Sequence, residues 1–456
     1  MNDPCRFETE AFGAFGVTRR TFDTESRTLS LHYAFEHGPE FVESVTFESE
    51  PATDRRAGGP GATGPGFERA LLHLHIAAGT SYYKVAAPDE VVIDDGLSPS
   101  EAAFHRHIYD DGLREFAVSN GLAVPRPVSI RPARIEPPGP APVAIRPGGL
   151  LVPIGGGKDS MVLIEAVAEL DPLLFAVNPH PLVTRLAAQT GLELLVVRRR
   201  LDPALVELNR AGALNGHVPI TAIVSLIAVV GSFLYGYDAI AMAVERSASE
   251  DTVVVDGTPV NHQYSKSGEF EHLLGDLVAS TVDAGLHYGS ALRPYSELAI
   301  ARAFSRLTAY HGTFCSCNTV FRQSAHTADG WCGDCPKCRF VALMLAPFLR
   351  PDEVAGIIGR DLFADPAQIP GFAALMSRDD KPFECVGERR ESAAAVRMLA
   401  GRPEWRDAPV VAALAPRAMA LVSDGDVADL FVPAGESAFA GTAVGDHVAH
   451  LLAGEA

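Results

Sequence analysis

The sequence is short of basic residues: 38 Lys and Arg stand against 57 Asp and Glu, which gives a formal net charge of −19 at pH 7. A nucleic-acid partner is therefore not expected, because proteins that bind DNA or RNA present a basic face. The first residues contain no basic segment followed by an apolar one, so we expect neither a secretory signal nor a transit peptide. At 456 residues, 47% of them hydrophobic, the chain has room for two or three domains with real cores.

Cysteine is scarce outside one short region. Five of the seven cysteines lie between residues 315 and 338. An odd number of cysteines with this crowding favours a metal site in a reducing cytoplasm over a disulfide framework. We therefore expect a cytoplasmic protein.

Long apolar runs are also rare, and the segment 218–244 is the one that could be mistaken for a membrane span. Asp238 is its single charge, and Gly231 and Gly236 interrupt it. This pattern favours a buried helix over about 220–235, followed by a turn and a buried strand. A membrane helix is the alternative, because the run reaches spanning length.

Changes in composition and in apolar pattern divide the chain into four regions. The first contains short alternating apolar and polar stretches, which are typical of half-buried strands. A proline-rich stretch follows and is predicted to be a stiff linker without regular structure. Strands then alternate with helices, which predicts an α/β fold with a parallel, doubly wound sheet. The predicted regions are an N-terminal α+β domain (1–130), the linker (131–149), the α/β domain (150–350) and a helical C-terminal region (351–456).

A glycine-rich turn joins the first strand of the α/β domain to a helix. It reads Gly155-Gly156-Gly157-Lys158-Asp159-Ser160. Glycines let the backbone approach an anion, and the first amides of a helix lack partners and carry positive potential. Lys158 can neutralise phosphate charge, and Ser160 can donate its hydroxyl or cap the helix. The alternative is a tight turn without a ligand, in which Asp159 acts as a cap. The spacing fits neither the nucleotide P-loop nor the dinucleotide fingerprint.

This turn resembles the Ser-Gly-Gly-x-Asp-Ser loop of the ATP pyrophosphatase (PP-loop) family, with Gly155 where that family has Ser. The resemblance implies that the loop grips the pyrophosphate of ATP while a carboxylate attacks the α-phosphate, which yields an adenylate and pyrophosphate. It also implies Mg²⁺, for which Asp159 is the candidate ligand. Asn178, after the second strand, and His217, in a Val-Pro segment before the buried helix, resemble other cofactor-binding positions of the family. Loop structure is the alternative for both. Arg198–Arg200, at the end of the third strand, is predicted to be a solvated edge, with a phosphate site as the alternative.

The cysteine region contains a C-x-x-C-x-x-C pattern preceded by two further cysteines. Four thiolates suit a structural Zn²⁺ site, with an iron–sulfur cluster or redox thiols as alternatives. The pattern is similar to the zinc knuckle of the 7-cyano-7-deazaguanine synthase branch of the ATP pyrophosphatases, which favours Cys317 over Cys315 as fourth ligand. The predicted ligands are Cys317, Cys332, Cys335 and Cys338.

A dense polar stretch at 261–271 lies between these motifs. Propensity alone allows a surface loop with a helix cap at Ser267. Together with the glycine loop, the cysteines and the segment 79–88, however, it resembles the family of UDP-N-acetylmuramoyl-L-alanyl-L-glutamate epimerases of bacterial cell-wall synthesis. That family implies ATP-dependent inversion of the glutamyl α-carbon of UDP-MurNAc-L-Ala-L-Glu. The candidates are Lys266, His262 and Glu271 for proton transfer, with Tyr264 as a helper, and Arg246, Lys84 and Tyr83 for binding substrate.

Three other functions remain open from the sequence. A ligase similar to 7-cyano-7-deazaguanine synthase would share the adenylation step but form an amide or nitrile. RNA sulfur transfer would use the C-x-x-C pairs as redox thiols, against the acidic charge. A zinc-knuckle scaffold with a decayed nucleotide loop would explain the departure at Gly155.

Overall fold

The structure is a computed structural model that describes residues 9–48, 63–136, 148–321, 330–377, 382, 384 and 386–454. Its strands are β1 (Phe15–Asp23), β2 (Thr28–Phe35), β3 (Glu40–Phe47), β4 (Glu90–Leu97), β5 (Ser129–Ile135), β6 (Leu150–Pro153), β7 (Leu173–Val177), β8 (Leu194–Arg200), β9 (Ala239–Met242), β10 (Val253–Val255), β11 (Thr258–Val260) and β12 (His287–Ser290). Its helices are α1 (Pro65–Ala78), α2 (Thr80–Tyr83), α3 (Pro99–Asp110), α4 (Arg114–Ser119), α5 (Lys158–Val167), α6 (Pro181–Thr190), α7 (Ala204–Arg210), α8 (Ile220–Tyr235), α9 (Gly268–Leu277), α10 (Glu297–Phe304), α11 (Pro336–Leu345), α12 (Pro351–Ile358), α13 (Ile369–Leu375), α14 (Arg389–Ala400), α15 (Pro409–Leu421), α16 (Asp424–Asp429) and α17 (Ala443–Ala453).

One large sheet organises the molecule. Ten strands lie in the order β12-β9-β6-β7-β8-β3-β2-β1-β4-β5. The pairs from β12 to β8 are parallel, as are β1–β4 and β4–β5, whereas β8–β3, β3–β2 and β2–β1 are antiparallel. The predicted α/β class with a mostly parallel sheet is confirmed.

Alternating side chains of the central strands enter two different cores. On β7, Leu173 and Phe175 pack on the side of α1 and α8, whereas Leu174 and Ala176 pack on the side of α5, α10 and α11. A strand that is buried on both faces has no polar alternation, which is why these strands read as continuous apolar runs.

The described strands of the N-terminal region, β1 to β5, belong to the same sheet as the strands of the α/β domain. β3 pairs with β8, so that Val45 lies opposite Arg199. One sheet therefore contains strands from both sides of the predicted linker. The start of that linker also differs from expectation, because Ser129–Ile135 is the edge strand β5. Pro132 is tolerated there, since an edge strand leaves one row of amides outside the ladder. The part of the predicted linker at 137–147 lies outside the described residues.

The apolar run 218–244 folds as predicted into a buried helix and a strand. Helix α8 spans Ile220–Tyr235, Gly236 ends it in a left-handed conformation (φ +77°), and β9 follows at Ala239. In the described part of the chain, a helix with the length and apolarity needed to cross a membrane is not found.

The region after residue 350 is helical, as predicted. Helix α14 packs on α11, α15 packs on α13 and on α14, and α17 packs on α5 and α10. This region therefore covers the sheet face that carries the glycine loop and its helix.

Candidate active site

The glycine loop joins β6 to α5 at the carboxyl edge of the sheet. Gly156 has φ +86°, and a Cβ atom there would lie 3.1 Å from Cγ2 of Val183 and 3.4 Å from the carbonyl oxygen of Cys315. The Gly156 carbonyl accepts a hydrogen bond from the Cys315 amide (3.0 Å). The loop is thus fixed to the cysteine region, and Gly156 is required both by its conformation and by this close approach.

The neighbouring Gly155 is exposed, and a Cβ atom there would meet no described atom within 4 Å. The backbone at this position therefore has room for the serine of the ATP pyrophosphatase pattern. At the other end of the loop, Gly157 is the N-cap of α5 and has no side chain to offer the first amides. Ser160 turns its hydroxyl back to the Gly157 carbonyl (2.9 Å).

The Lys158 side chain is directed toward two carboxylates. It is buried, and its ammonium forms ion pairs with Glu297 and, at 2.5 Å, with Asp159. Burial alone would lower the pKa of Lys158, but the two carboxylates outweigh burial and raise it. In this structure Lys158 pairs with the carboxylates of Asp159 and Glu297, and its expected role in neutralising phosphate stays a prediction.

Three carboxylates converge beside this lysine. Oxygens of Asp159, Glu245 and Glu297 all lie within 4.8 Å of one another. Burial raises the pKa of Glu297 to about 7, against the opposing effect of Lys158. Carboxylate oxygens are the ligands that Mg²⁺ takes in proteins, so the donor set fits that ion. Glu297 was not found by sequence reasoning, because a glutamate in the first turn of a helix is an ordinary feature.

A small cavity of about 80 Å³ opens on these carboxylates. Gln263, Lys266 and Lys337 also line it. The structure thus brings the predicted base Lys266 next to Asp159 of the glycine loop, although the two are far apart in the chain. The Lys266 ammonium donates to Oε1 of Gln263 (3.1 Å), within the short 3₁₀ turn Tyr264–Lys266.

Arg293 ties the elements around the cavity together. It donates to the carbonyl oxygens of Lys266 (2.8 Å) and Glu245 (2.9 Å). Its guanidinium also forms two hydrogen bonds to Oε2 of Glu271 (3.0 and 2.6 Å), while Oε1 of Glu271 accepts from the Ser290 amide (3.0 Å). Glu271, a candidate for proton transfer, is therefore engaged in holding Arg293.

A second polar cluster contains His262, which precedes Gln263 and Lys266. Its Nδ1 is hydrogen-bonded to Oε2 of Glu115, and Nδ1 of His217 lies 3.7 Å from the same oxygen. The two imidazole rings are 4.7 Å apart. Burial, followed by the proximity of His262, lowers the pKa of His217 to about 4. The structure thus groups His217 with His262, and Glu115 is a residue that sequence reasoning missed.

Lys84 lies on the side of this histidine cluster. Its ammonium donates to Oδ1 of Asn215 (2.6 Å), and burial lowers its pKa. Tyr83, in contrast, packs between Phe15 and Tyr109 and donates its hydroxyl to the Pro88 carbonyl (2.7 Å). Because its ring is 1% exposed, we leave Tyr83 out of the proposed substrate site.

The other predicted positions have local partners. The Asn178 side chain donates a hydrogen bond to the Arg199 carbonyl (2.7 Å) and accepts one from the Arg199 amide (3.0 Å). These two bonds connect the end of β7 to β8. Arg246 begins a 3₁₀ turn beside Glu245, and its amide donates to the Tyr295 carbonyl (3.1 Å). Arg199 is not a solvated residue as predicted, because it forms a buried ion pair with Glu43 (2.6 Å).

Four of the five clustered cysteines form one group. Sγ atoms of Cys317 and Cys335 are 3.8 Å apart, those of Cys332 and Cys338 3.7 Å, and all four lie within 4.8 Å of one another. Zinc–sulfur bonds of about 2.3 Å in a tetrahedron place the sulfurs about 3.8 Å apart. Cys315 is outside the group, with its thiol directed to the Gly330 carbonyl (3.6 Å).

The fold and this site define an α/β protein with an acid-rich cavity at the carboxyl edge of its sheet and a cysteine cluster beside it. Profiles described as the MurL N-terminal domain and the MurL C-terminal domain match residues 6–291 and 313–428. The chain belongs to the MurL family.

Three curated relatives carry one name, UDP-N-acetyl-alpha-D-muramoyl-L-alanyl-L-glutamate epimerase. The protein of Salinispora tropica is 43% identical over 88% of both chains. That of Xanthomonas oryzae pv. oryzae is 41% identical over 89% of this chain and 90% of its own. That of a Micromonospora species is 42% identical over 92% of this chain and 95% of its own. No solved structure matches the chain.

Proposed function

We propose that this protein is an ATP-consuming isomerase that inverts the terminal L-glutamate of UDP-MurNAc-L-Ala-L-Glu in the cytoplasm, for peptidoglycan synthesis. The observation that carries the proposal is the shared cavity of Asp159 and Lys266. It places a residue of the glycine loop, where ATP would react, beside a lysine that can exchange a proton with the substrate. The names of relatives similar over about nine-tenths of the chain support the same substrate.

Activation by ATP answers a chemical difficulty. The α-proton of a glutamyl residue is hard to remove, because the adjacent carboxylate is already an anion. Converting that carboxylate to a mixed anhydride with AMP neutralises it and withdraws electrons from the α-carbon. Proton removal, reprotonation on the opposite face and hydrolysis then give the D-glutamyl product with AMP and pyrophosphate.

The glycine loop is the proposed binding site of the ATP phosphates. The amides at the start of α5 and the backbone at 155–157 supply donors, and Mg²⁺ bound by Asp159, Glu245 and Glu297 would offset the charge that develops on the phosphates. Lys158 already pairs with two of these carboxylates. It therefore balances their charge and holds them in place.

Proton transfer is assigned to Lys266 and His262. Both belong to the segment 261–267, whose backbone is anchored by Arg293 at Lys266 and by Thr252 at His262. Arg246 and Lys84 are proposed to hold the anionic groups of the substrate. The cysteine cluster is proposed to bind a structural Zn²⁺, closed by four protein ligands.

The test is direct. Protein, ATP, Mg²⁺ and UDP-MurNAc-L-Ala-L-Glu are incubated, the product is hydrolysed in acid, and the glutamate is separated by chirality. We expect D-glutamate together with stoichiometric AMP and pyrophosphate. ATP cleavage without D-glutamate, but with a new amide in the presence of ammonia, would instead favour the ligase.

A further inference from the structure

Glu115 reaches the histidine cluster from a distant part of the chain. It lies on α4, 147 residues before His262, and its carboxylate is hydrogen-bonded to Nδ1 of His262. The side chains of His262 and Glu115 are 12% and 14% exposed, so this contact is largely shielded from water. An ionised carboxylate only accepts hydrogen bonds. The proton of a neutral His262 ring is therefore on Nδ1, and the lone pair is on Nε2.

We infer that Glu115 is a positioning residue for proton transfer at the substrate α-carbon, acting through His262 and in partnership with Lys266. The inference rests on the proposed function and adds a residue to it. A carboxylate at Nδ1 fixes the ring orientation and the tautomer, and it stabilises the imidazolium that forms when Nε2 takes a proton.

In a two-base inversion, one group serves each face of the α-carbon. One of them takes the α-proton, and the electron pair of the C–H bond moves into the carbonyl of the adenylated carboxyl. The conjugate acid of the other group then gives a proton to the opposite face, and exchange with water resets both groups. His262 and Lys266 lie on one short segment, which Glu115 holds at one end and Arg293 at the other.

The same three donors, Glu115, His217 and His262, lie close enough together to hold a metal ion. The surroundings disfavour that use. The ammonium groups of Lys266 and Lys84 both act on His217 and help to lower its pKa. A divalent cation beside two fixed positive charges is repelled, whereas a neutral His217 beside the hydrogen-bonded pair of Glu115 and His262 is not.

The experiment compares Glu115→Gln, Glu115→Asp and His262→Gln with wild type, using full-length protein and UDP-MurNAc-L-Ala-L-Glu. Glu207→Gln, on an exposed site of α7, is the matched control. Removal of the carboxylate is expected to lower kcat for inversion by roughly 100-fold or more, as for an unsupported base, with little change in KM. Glu115→Asp should restore part of the loss, and the first burst of pyrophosphate should persist in every variant.

Deuterium incorporation at the α-carbon in D2O separates the two faces. His262→Gln should still exchange the α-proton of one glutamyl isomer, through Lys266, and lose exchange of the other. The inference is overturned if Glu115→Gln retains kcat within about 3-fold of wild type, or if His262→Gln loses exchange of both isomers or of neither. It is also overturned by a second tightly bound divalent metal that disappears in Glu115→Gln. Wild-type protein that forms no D-glutamyl product contradicts the proposed function itself.

Discussion

At the scale of single residues, the glycine loop separates two neighbouring positions. Gly156 is left-handed, and a Cβ atom there would lie 3.1 Å from Cγ2 of Val183, whereas Gly155 is open to solvent. We expect Gly156→Ala to be destabilised by about 1–2 kcal/mol from its backbone conformation and to raise KM for ATP. Gly155→Ser should leave the melting temperature unchanged and keep or improve ATP affinity. Calorimetric titration with ATP and thermal melts of both variants check this pair, and equal losses in the two would contradict it.

A pH dependence follows from His217. Its pKa is about 4 in the folded protein, against an ordinary value of 6.5, because burial disfavours the charged ring. As the pH falls below about 6.5 the unfolded chain takes up a proton that the folded protein refuses, so folded-state stability falls until about pH 4. The free energy of unfolding that is lost in this way reaches at most about 3 kcal/mol.

His217→Gln should therefore lose less stability than wild type between pH 7 and pH 5, as measured by denaturant unfolding at both values. The same change at the exposed His272 is the control. Equal losses of stability in wild type and His217→Gln would show that protonation of His217 does not cause the pH dependence.

At the scale of elements, the cysteine cluster and the glycine loop are mechanically joined. The Cys315 amide donates to the Gly156 carbonyl, and Cys317 follows within two residues. If a metal closes the cluster, its removal should loosen the loop. We expect Cys338→Ser to lose about one zinc per chain and to weaken ATP binding, whereas Cys315→Ser keeps the metal.

Elemental analysis and ATP titration measure the two effects separately. Cys315→Ser without zinc would show that the fourth ligand has been misidentified. Iron in place of zinc, with an absorption band in the visible range, would replace the zinc proposal by an iron–sulfur one.

The elements that sequence predicted best are those whose signal is local. The apolar helix at 220–235 and its stop at Gly236 follow from periodicity and from the glycine that ends the run. The strand β5 was not predicted, because Pro132 and the prolines that follow the strand indicate a linker, and only the place of β5 at the sheet edge makes Pro132 tolerable.

The candidate site could be predicted only in part, because only some of its residues form a local sequence pattern. The loop residues and the four cysteines stand in fixed spacings, but Glu115, Arg293 and Glu297 carry no local pattern. They become functional candidates only when strands and helices far apart in the sequence meet at one edge. A charged residue at a helix start or on a short helix looks the same whether it faces water or a cavity.

At the scale of the whole molecule, the contact between β3 and β8 turns two predicted domains into one sheet. Glu43 and Arg199 form a buried bidentate ion pair beside this seam, at 2.6 and 3.0 Å, and Ser81 accepts a further bond from Arg199 (2.8 Å). Burial raises the pKa of Glu43, and the guanidinium opposes that effect. Each charge depends on the other for its stabilisation, because the Glu43 side chain is fully buried and that of Arg199 is only 6% exposed.

Removing one partner should therefore cost more than removing both. We expect Arg199→Met to destabilise the protein by about 3–5 kcal/mol, because it leaves the Glu43 carboxylate buried without its partner, and the double variant Glu43→Gln/Arg199→Met to recover part of that loss. Arg198→Met, at the exposed pair with Glu48, should change stability by less than about 1 kcal/mol. Urea unfolding followed by tryptophan fluorescence and by circular dichroism measures the stability of all three variants.

Since the seam between β3 and β8 joins both halves of the sheet, we expect one unfolding transition by both probes. Two separated transitions, with Arg199→Met shifting only one of them, would mean that the halves fold independently and that the sheet is continuous in geometry but not in stability.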